Sequence, residues 1–246
     1  MTTYYKAVHP DGGSFFKASF RWLPKGWESG DPIPEGWAVG NPNYQLARGA
    51  ASYLSVSVTP TDCTGMRWPC VLLEVEPLGE VTTPEPEDLP SKRAGAAFRV
   101  VRELPATDAL GPQGVHVAAL IERGRQLTAD DAQKMIAARH AARYASMEAA
   151  WKADTARDAA MDSTVTAAVF TARDAARIAA RDAGWEAVRG TGWTAAWDAT
   201  VTGAGDATLA LVVRDLIDRE HYDALTRPWR TIIGPIHPDD NDFVKD

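Results

Sequence analysis

The chain has 246 residues, 45% of them hydrophobic, with a formal net charge of −7 and a pI near 5.3. That length holds one large domain or two small ones, and the acidic balance argues against a broad nucleic-acid or anionic-membrane surface. Two cysteines cannot make a disulfide framework; with no signal peptide and no apolar run of membrane length, the expectation is a cytoplasmic chain with reduced thiols.

Proline divides the sequence. Thirteen of the sixteen lie between Pro10 and Pro112, none between Gln113 and Arg227, and the last three are Pro228, Pro235 and Pro238. This predicts an α+β chain: a β-rich domain over 1–112, an alanine-rich helical domain of short packed helices over 113–228, and a tail over 229–246.

In chain order, Thr3 to Val8 suits a strand and His9 to Gly13 a turn. Ser14 to Leu23 alternates as a second strand, so the two are read as a hairpin. Pro24 to Pro42 is a loop carrying Trp27 and Trp37, both expected to fold back as plugs. Ser52 to Thr59, Val71 to Glu76 and Leu78 to Val81 are strand candidates. The α and β signals conflict from Ala94 to Leu104. Cys63 and Cys70 lack the further ligands of a zinc site and are read as buried or partly exposed thiols, with no metal expected. The turn between them presents Arg67 and Trp68 at its tip. Glu74 and Glu76, two apart on a strand, share one face.

Val115 to Arg123 predicts a short helix ending at Gly124, and Thr128 with Asp131 predicts a capped start to a longer one. The tract from Arg157 to Thr208 then reads in fours: RDAA MDST VTAA VFTA RDAA RIAA RDAG WEAV RGTG WTAA WDAT VTGA GDAT. Every alanine occupies the third or fourth slot. Alanine favours helix, but a period of four drifts by roughly 40° per tetrad on an α-helix. The bulky stripe therefore circles the rod. Either the tract is cut into short helices, or alanine seams face neighbours on more than one side. Gly190, Gly192, Gly203 and Gly205 are expected breaks, Ser163 to Thr166 a lesser one, and the phase slip at Ala153 to Ala156 an expected bend. Trp151, Trp185, Trp193 and Trp197 are expected core anchors. Leu209 to Leu225 reads as an amphipathic helix ended by Pro228, with Trp229, Ile232 and Ile233 packing back.

The strings YYKAVHPDGGSFF, TDCTGMRWPCVLLEVEPLGE, DLPSKRAGAAFRVVRELPA, the tetrads and LVVRDLIDREHYDALTRPWR together resemble a family of actinobacterial and actinobacteriophage proteins. The resemblance implies a β-rich first domain, an alanine-rich helical second domain and a phage or prophage origin. It implies no activity. A second resemblance, to ADP-ribosyltransferases, rests on Lys6 (where that family has arginine), Ser55 and Ser57, and Glu74 and Glu76, in that order. It implies NAD as cofactor.

Three functional expectations follow. The first is a non-enzymatic interaction protein with no cofactor that binds a host or phage macromolecule, with Trp27, Trp37, Arg67 and Trp68 as contact residues. The second is an NAD-using transferase built on Lys6, Ser55, Ser57, Glu74 and Glu76. The third is an assembly component whose alanine seams pair copies into a homo-oligomer.

Overall fold

The computed structural model describes residues 2–15, 20–41, 53–63, 67–84, 86–87, 90–160, 163–187 and 193–242, and within them the side chains other than those of 163–164, 182–187, 193–198 and 241–242. The chain divides into two compact units, Met1–Ala109 and Leu110–Asp246. No described helix is long and apolar enough to cross a membrane.

The strands of the first unit are β1 (Tyr4–Val8), β2 (Ala38–Gly40), β3 (Leu54–Ser57), β4 (Val71–Pro77), β5 (Val81–Thr82), β6 (Lys92–Gly95) and β7 (Ala97–Leu104). They form one antiparallel sheet in the order β2-β7-β4-β1-β3-β6-β5. Strand period decides the faces. Tyr4, Val8, Leu54, Val56, Leu73, Val75, Phe98 and Val100 point to one side, where Trp22, Leu23 and Trp27 cover them. Tyr5, Ala7 and Leu72 point to the other, against Cys63, Cys70 and Ala109. The contested stretch from Ala94 to Leu104 is strand, because Phe98 and Val100, two apart, both reach the same core.

The expected hairpin does not form. Among the described residues of Ser14 to Leu23, pairing is confined to an isolated bridge between Gly13 and Arg21. The carbonyl of Gly12, whose φ is +83°, instead accepts from the backbone N–H of both Trp22 and Leu23, which turns those two side chains into the core.

The second unit holds α1 (Gly114–Arg125), α2 (Ala129–Ala160), α3 (Ser163–Ala187), α4 (Trp193–Val212) and α5 (Arg219–Ile233). The capped start of α2 is present: the Thr128 N–H donates to the Asp131 carboxylate (3.0 Å) and the Asp131 N–H to the Thr128 hydroxyl (3.2 Å).

Several expectations about these helices are overturned. They are not short: α2 runs 32 residues and α3 25. The slip at Ala153 to Ala156 produces no interruption in α2. Gly203 and Gly205 lie inside α4, where their missing side chains give room to neighbours. A Cβ at Gly203 would stand 3.3 Å from Met135 Sδ, and one at Gly205 2.8 Å from Arg177 Nε. Pro228 lies inside α5, where it removes one hydrogen bond of the ladder, and the helix continues past it to Ile233. The span from Leu209 to Leu225 is two helices, α4 and α5, separated by a 3-10 turn at Arg214–Leu216.

The other outcome of the tetrad argument is realised. α4 packs on α1, α2, α3 and α5, and from Gly203 to Val213 each residue is buried. A helix buried on all sides belongs at the centre, and its one charge there, Asp206, is paired with Arg139. Gly190 and Gly192, and the side chains of Trp185, Trp193 and Trp197, lie outside the described part.

Candidate functional site

Register aligns a polar row across one face of the sheet. Lys92 on β6 stands opposite Ser57 on β3, Ser57 opposite Tyr5 on β1, Tyr5 opposite Glu74 on β4, and Glu74 opposite Arg102 on β7. The buried Lys92 Nζ donates to Ser57 Oγ (3.0 Å), Ser57 Oγ donates to the Asp62 carbonyl (2.7 Å), and Arg102 Nε donates to Glu74 (2.6 Å). One step along β4, Arg99 is paired with Glu76. Burial pushes the Cys63 thiol up, with Lys92 and Lys6 opposing, and pushes Cys70 up to about 12. Within the row, Lys92 is thus engaged with Ser57 and Arg102 with Glu74.

Lys6 lies on the opposite face. Its neighbours at i−2 and i+2, Tyr4 and Val8, belong to the core under Trp22, and its Nζ sits 5.3 Å from the Trp22 ring and donates to the Ser55 carbonyl (2.9 Å). Burial, reinforced by the Lys92 charge, lowers its amine from 10.5 to about 8. Ser55, Ser57 and Glu74 therefore share one side of the sheet, and Lys6 occupies the other.

Of the expected contact residues, Trp27 is core: it is buried and its Nε1 donates to the Asp31 carbonyl (3.1 Å). Trp37 is half-buried, with Nε1 donating to the Trp22 carbonyl (2.9 Å). Both are the plugs that the loop's apolar content implies, and as such they offer little surface to a partner. Arg67 is exposed, whereas Trp68 is half-buried against the cluster that holds Cys63 and Cys70.

An outward apolar line lies on α2. Tyr144, Met147 and Trp151 are 84%, 62% and 63% exposed. Their spacing of three and four sets them in a line along one side of the helix. Trp151 was expected in the core and is not there. The reason is the alanine seam: Ser146, Ala149 and Ala153 face inward, and Met147 stands roughly 200° around the helix from Ala149. Small residues let α2 approach α4 and α5, so the large ones point out. Lys152 places its Nζ 5.1 Å from the Trp151 ring, and Arg143 and Glu148 are exposed beside the line. Phe170 on α3, 61% exposed, lies 5.8 Å from the Arg157 guanidinium. The signal was present in the sequence, in the helical phase of Ala149 and Ala153, but reading Trp151 with Trp185, Trp193 and Trp197 as core anchors hid it.

Comparison with known proteins returns no match: no protein-family model, no curated protein and no solved structure resembles this chain closely enough to lend it a family or an activity.

Proposed function

We infer that this is a non-enzymatic interaction protein whose α2 helix docks a protein partner through Tyr144, Met147 and Trp151. The observation that carries the reading is that exposed line of three. Tyrosine, tryptophan and methionine are the types enriched where proteins meet, and aromatic side chains dominate interface energetics. A helix that presents large apolar groups at i, i+3 and i+7 has the geometry of helix-in-groove recognition. The resemblance to actinobacteriophage proteins makes a host or phage protein the partner class. Arg67 stands as a further exposed contact in the first unit. The NAD-using alternative draws no support from a sheet that separates Lys6 from Ser55, Ser57 and Glu74.

The test compares tagged wild type with a Tyr144→Ser/Trp151→Ser double variant in capture from host and infected-host lysates, alongside sedimentation velocity. A stoichiometric partner held by wild type and lost by the variant supports the reading. A wild-type dimer dissolved by the variant makes the occupant a second copy. Identical captures and identical sedimentation for both proteins overturn it.

A further inference from the structure

In the helical unit, α1 and the segment after α5 enclose a cleft of about 260 Å³. Its wall carries His116, Arg123 and His237, and its apolar part includes Leu120 and Ile236. None of its lining residues is acidic; the nearby Asp239 carboxylate, 3.6 Å from His237 Nδ1, is paired with Arg214.

The cleft is built rather than incidental. Gly234, at φ +84°, ends α5 and turns the chain back. The buried Asp240 carboxylate then holds the returning segment: it accepts from the backbone N–H of Ile236 and of His237 (3.0 Å each) and from Arg230 Nη1 (2.9 Å). Arg123 Nη1 donates to the Pro235 carbonyl (2.5 Å), which fixes the guanidinium at the rim. Its Nε and Nη2 have no partner among the described residues.

The His237 ring is oriented by its own chain. Its Nδ1 accepts from the Asp239 N–H (3.1 Å), so in the neutral ring the proton sits on Nε2. Nε2 is then a donor, which disfavours ligation of a metal through that atom and favours an acceptor. The His116 ring lies 4.5 Å from it, tilted by 59°. Three nitrogen-rich groups thus border one open volume, with an apolar surface beside them.

We propose that this cleft binds a small organic oxyanion, a carboxylate or a phosphate monoester, with its charged end held by His116, His237 and Arg123 and its body against the exposed Ala119, Pro235 and Pro238. Guanidinium and imidazole donors suit such groups, because charge-assisted hydrogen bonds to carboxylate or phosphate are the strong ones. An apolar cleft with a few convergent polar groups is the ordinary form of a small-molecule site. The proposal is independent of the docking surface on α2.

The test titrates the full chain with phenyl phosphate, benzoate and inorganic phosphate, with benzylamine as a cationic control, and follows the histidine ring signals by NMR. The His116→Ala and His237→Ala variants assign two of the five histidine signals. Saturable shifts of those two with phenyl phosphate or benzoate, weaker with inorganic phosphate, are expected, and the tighter of the two organic probes identifies the oxyanion. Arg123→Gln should weaken binding by about tenfold or more while leaving the circular dichroism spectrum unchanged. Arg123→Lys, which keeps the charge, covers the case in which the glutamine variant misfolds; it should bind more weakly than wild type and no weaker than the glutamine variant. Shifts that stay linear in concentration, that benzylamine reproduces, or that neither Arg123 variant alters would overturn the proposal.

Discussion

Lys6 places an ammonium group beside apolar ring and sheet, where desolvation outweighs what the Ser55 carbonyl and the Trp22 ring return. Its amine falls from 10.5 to about 8. Between those values the unfolded chain holds more protons than the folded one, so this group's contribution makes stability rise with pH. Below about 8 the penalty is fully present; above 10.5 it has gone. Lys6→Met removes it. Chemical denaturation across that range should show the variant's advantage over wild type shrinking as pH climbs, and a constant difference would contradict the assignment. The comparison must be made between the two proteins, because Cys63 and Cys70, whose thiols are pushed up, make stability fall with pH in the same region. Gly111 is a second residue under constraint. Its φ is +91°, and a Cβ there would stand 2.8 Å from Ala168 Cβ. Gly111→Ala should cost about 1–3 kcal/mol by guanidinium unfolding, since both the backbone conformation and the contact oppose it. A neutral result would mean that α3 yields freely there.

At the scale of elements, the segment beyond α5 hangs on one carboxylate. Asp240 sits with Arg230 in a side-chain pair fully closed to water, and Tyr222 and Asp223 complete the group. Asp240→Ala leaves the Arg230 charge buried with less compensation and should destabilise by about 3–5 kcal/mol. An Arg230→Met/Asp240→Leu double variant should recover part of that loss in thermal denaturation, the backbone N–H groups of Ile236 and His237 accounting for the remainder; if the double variant is no more stable than the single one, the buried Arg230 charge is not the source of the loss. The elements also show what the sequence disclosed. Alternating Tyr4, Val8, Leu54 and Val56 announced strands, and Thr128 with Asp131 announced a helix start, because those signals are local. The glycines of α4 misled because local propensity costs only about 1 kcal/mol per residue, and here Met135 and Arg177 arrive from α2 and α3 to occupy the space. The outward line on α2 was readable only after the alanine face was known to be the buried one. The cleft at His116 and His237 joins residues more than a hundred positions apart, and no spacing rule reaches that far.

At the scale of the whole molecule, each unit owns a core. Trp22, Phe98 and Leu73 lie in the first, and Leu120, Met135 and Trp229 are buried in the second. A unit with its own core should fold alone. A fragment spanning residues 110–246 is expected to give a helical circular dichroism spectrum and one cooperative melt, and a fragment that stays unfolded would show that the second unit depends on the first. Replacing Tyr144, Met147 or Trp151 singly by alanine should shift stability by no more than about 0.5 kcal/mol, because these side chains are mostly in water. A larger loss in urea titrations would mean that they pack rather than wait for a partner.

The order of synthesis follows from where β1 sits. Tyr4–Val8 is the earliest of the seven strands to leave the ribosome, yet it occupies a middle position, between β4 and β3. Until Val71–Pro77 has emerged, the edge of β1 that pairs with β4 stays open, so the nascent chain carries that unpaired edge for more than sixty residues of elongation. Such unpaired edges are aggregation-prone. A chaperone that shelters this edge before Val71–Pro77 emerges should therefore raise the yield more than one acting on the finished chain.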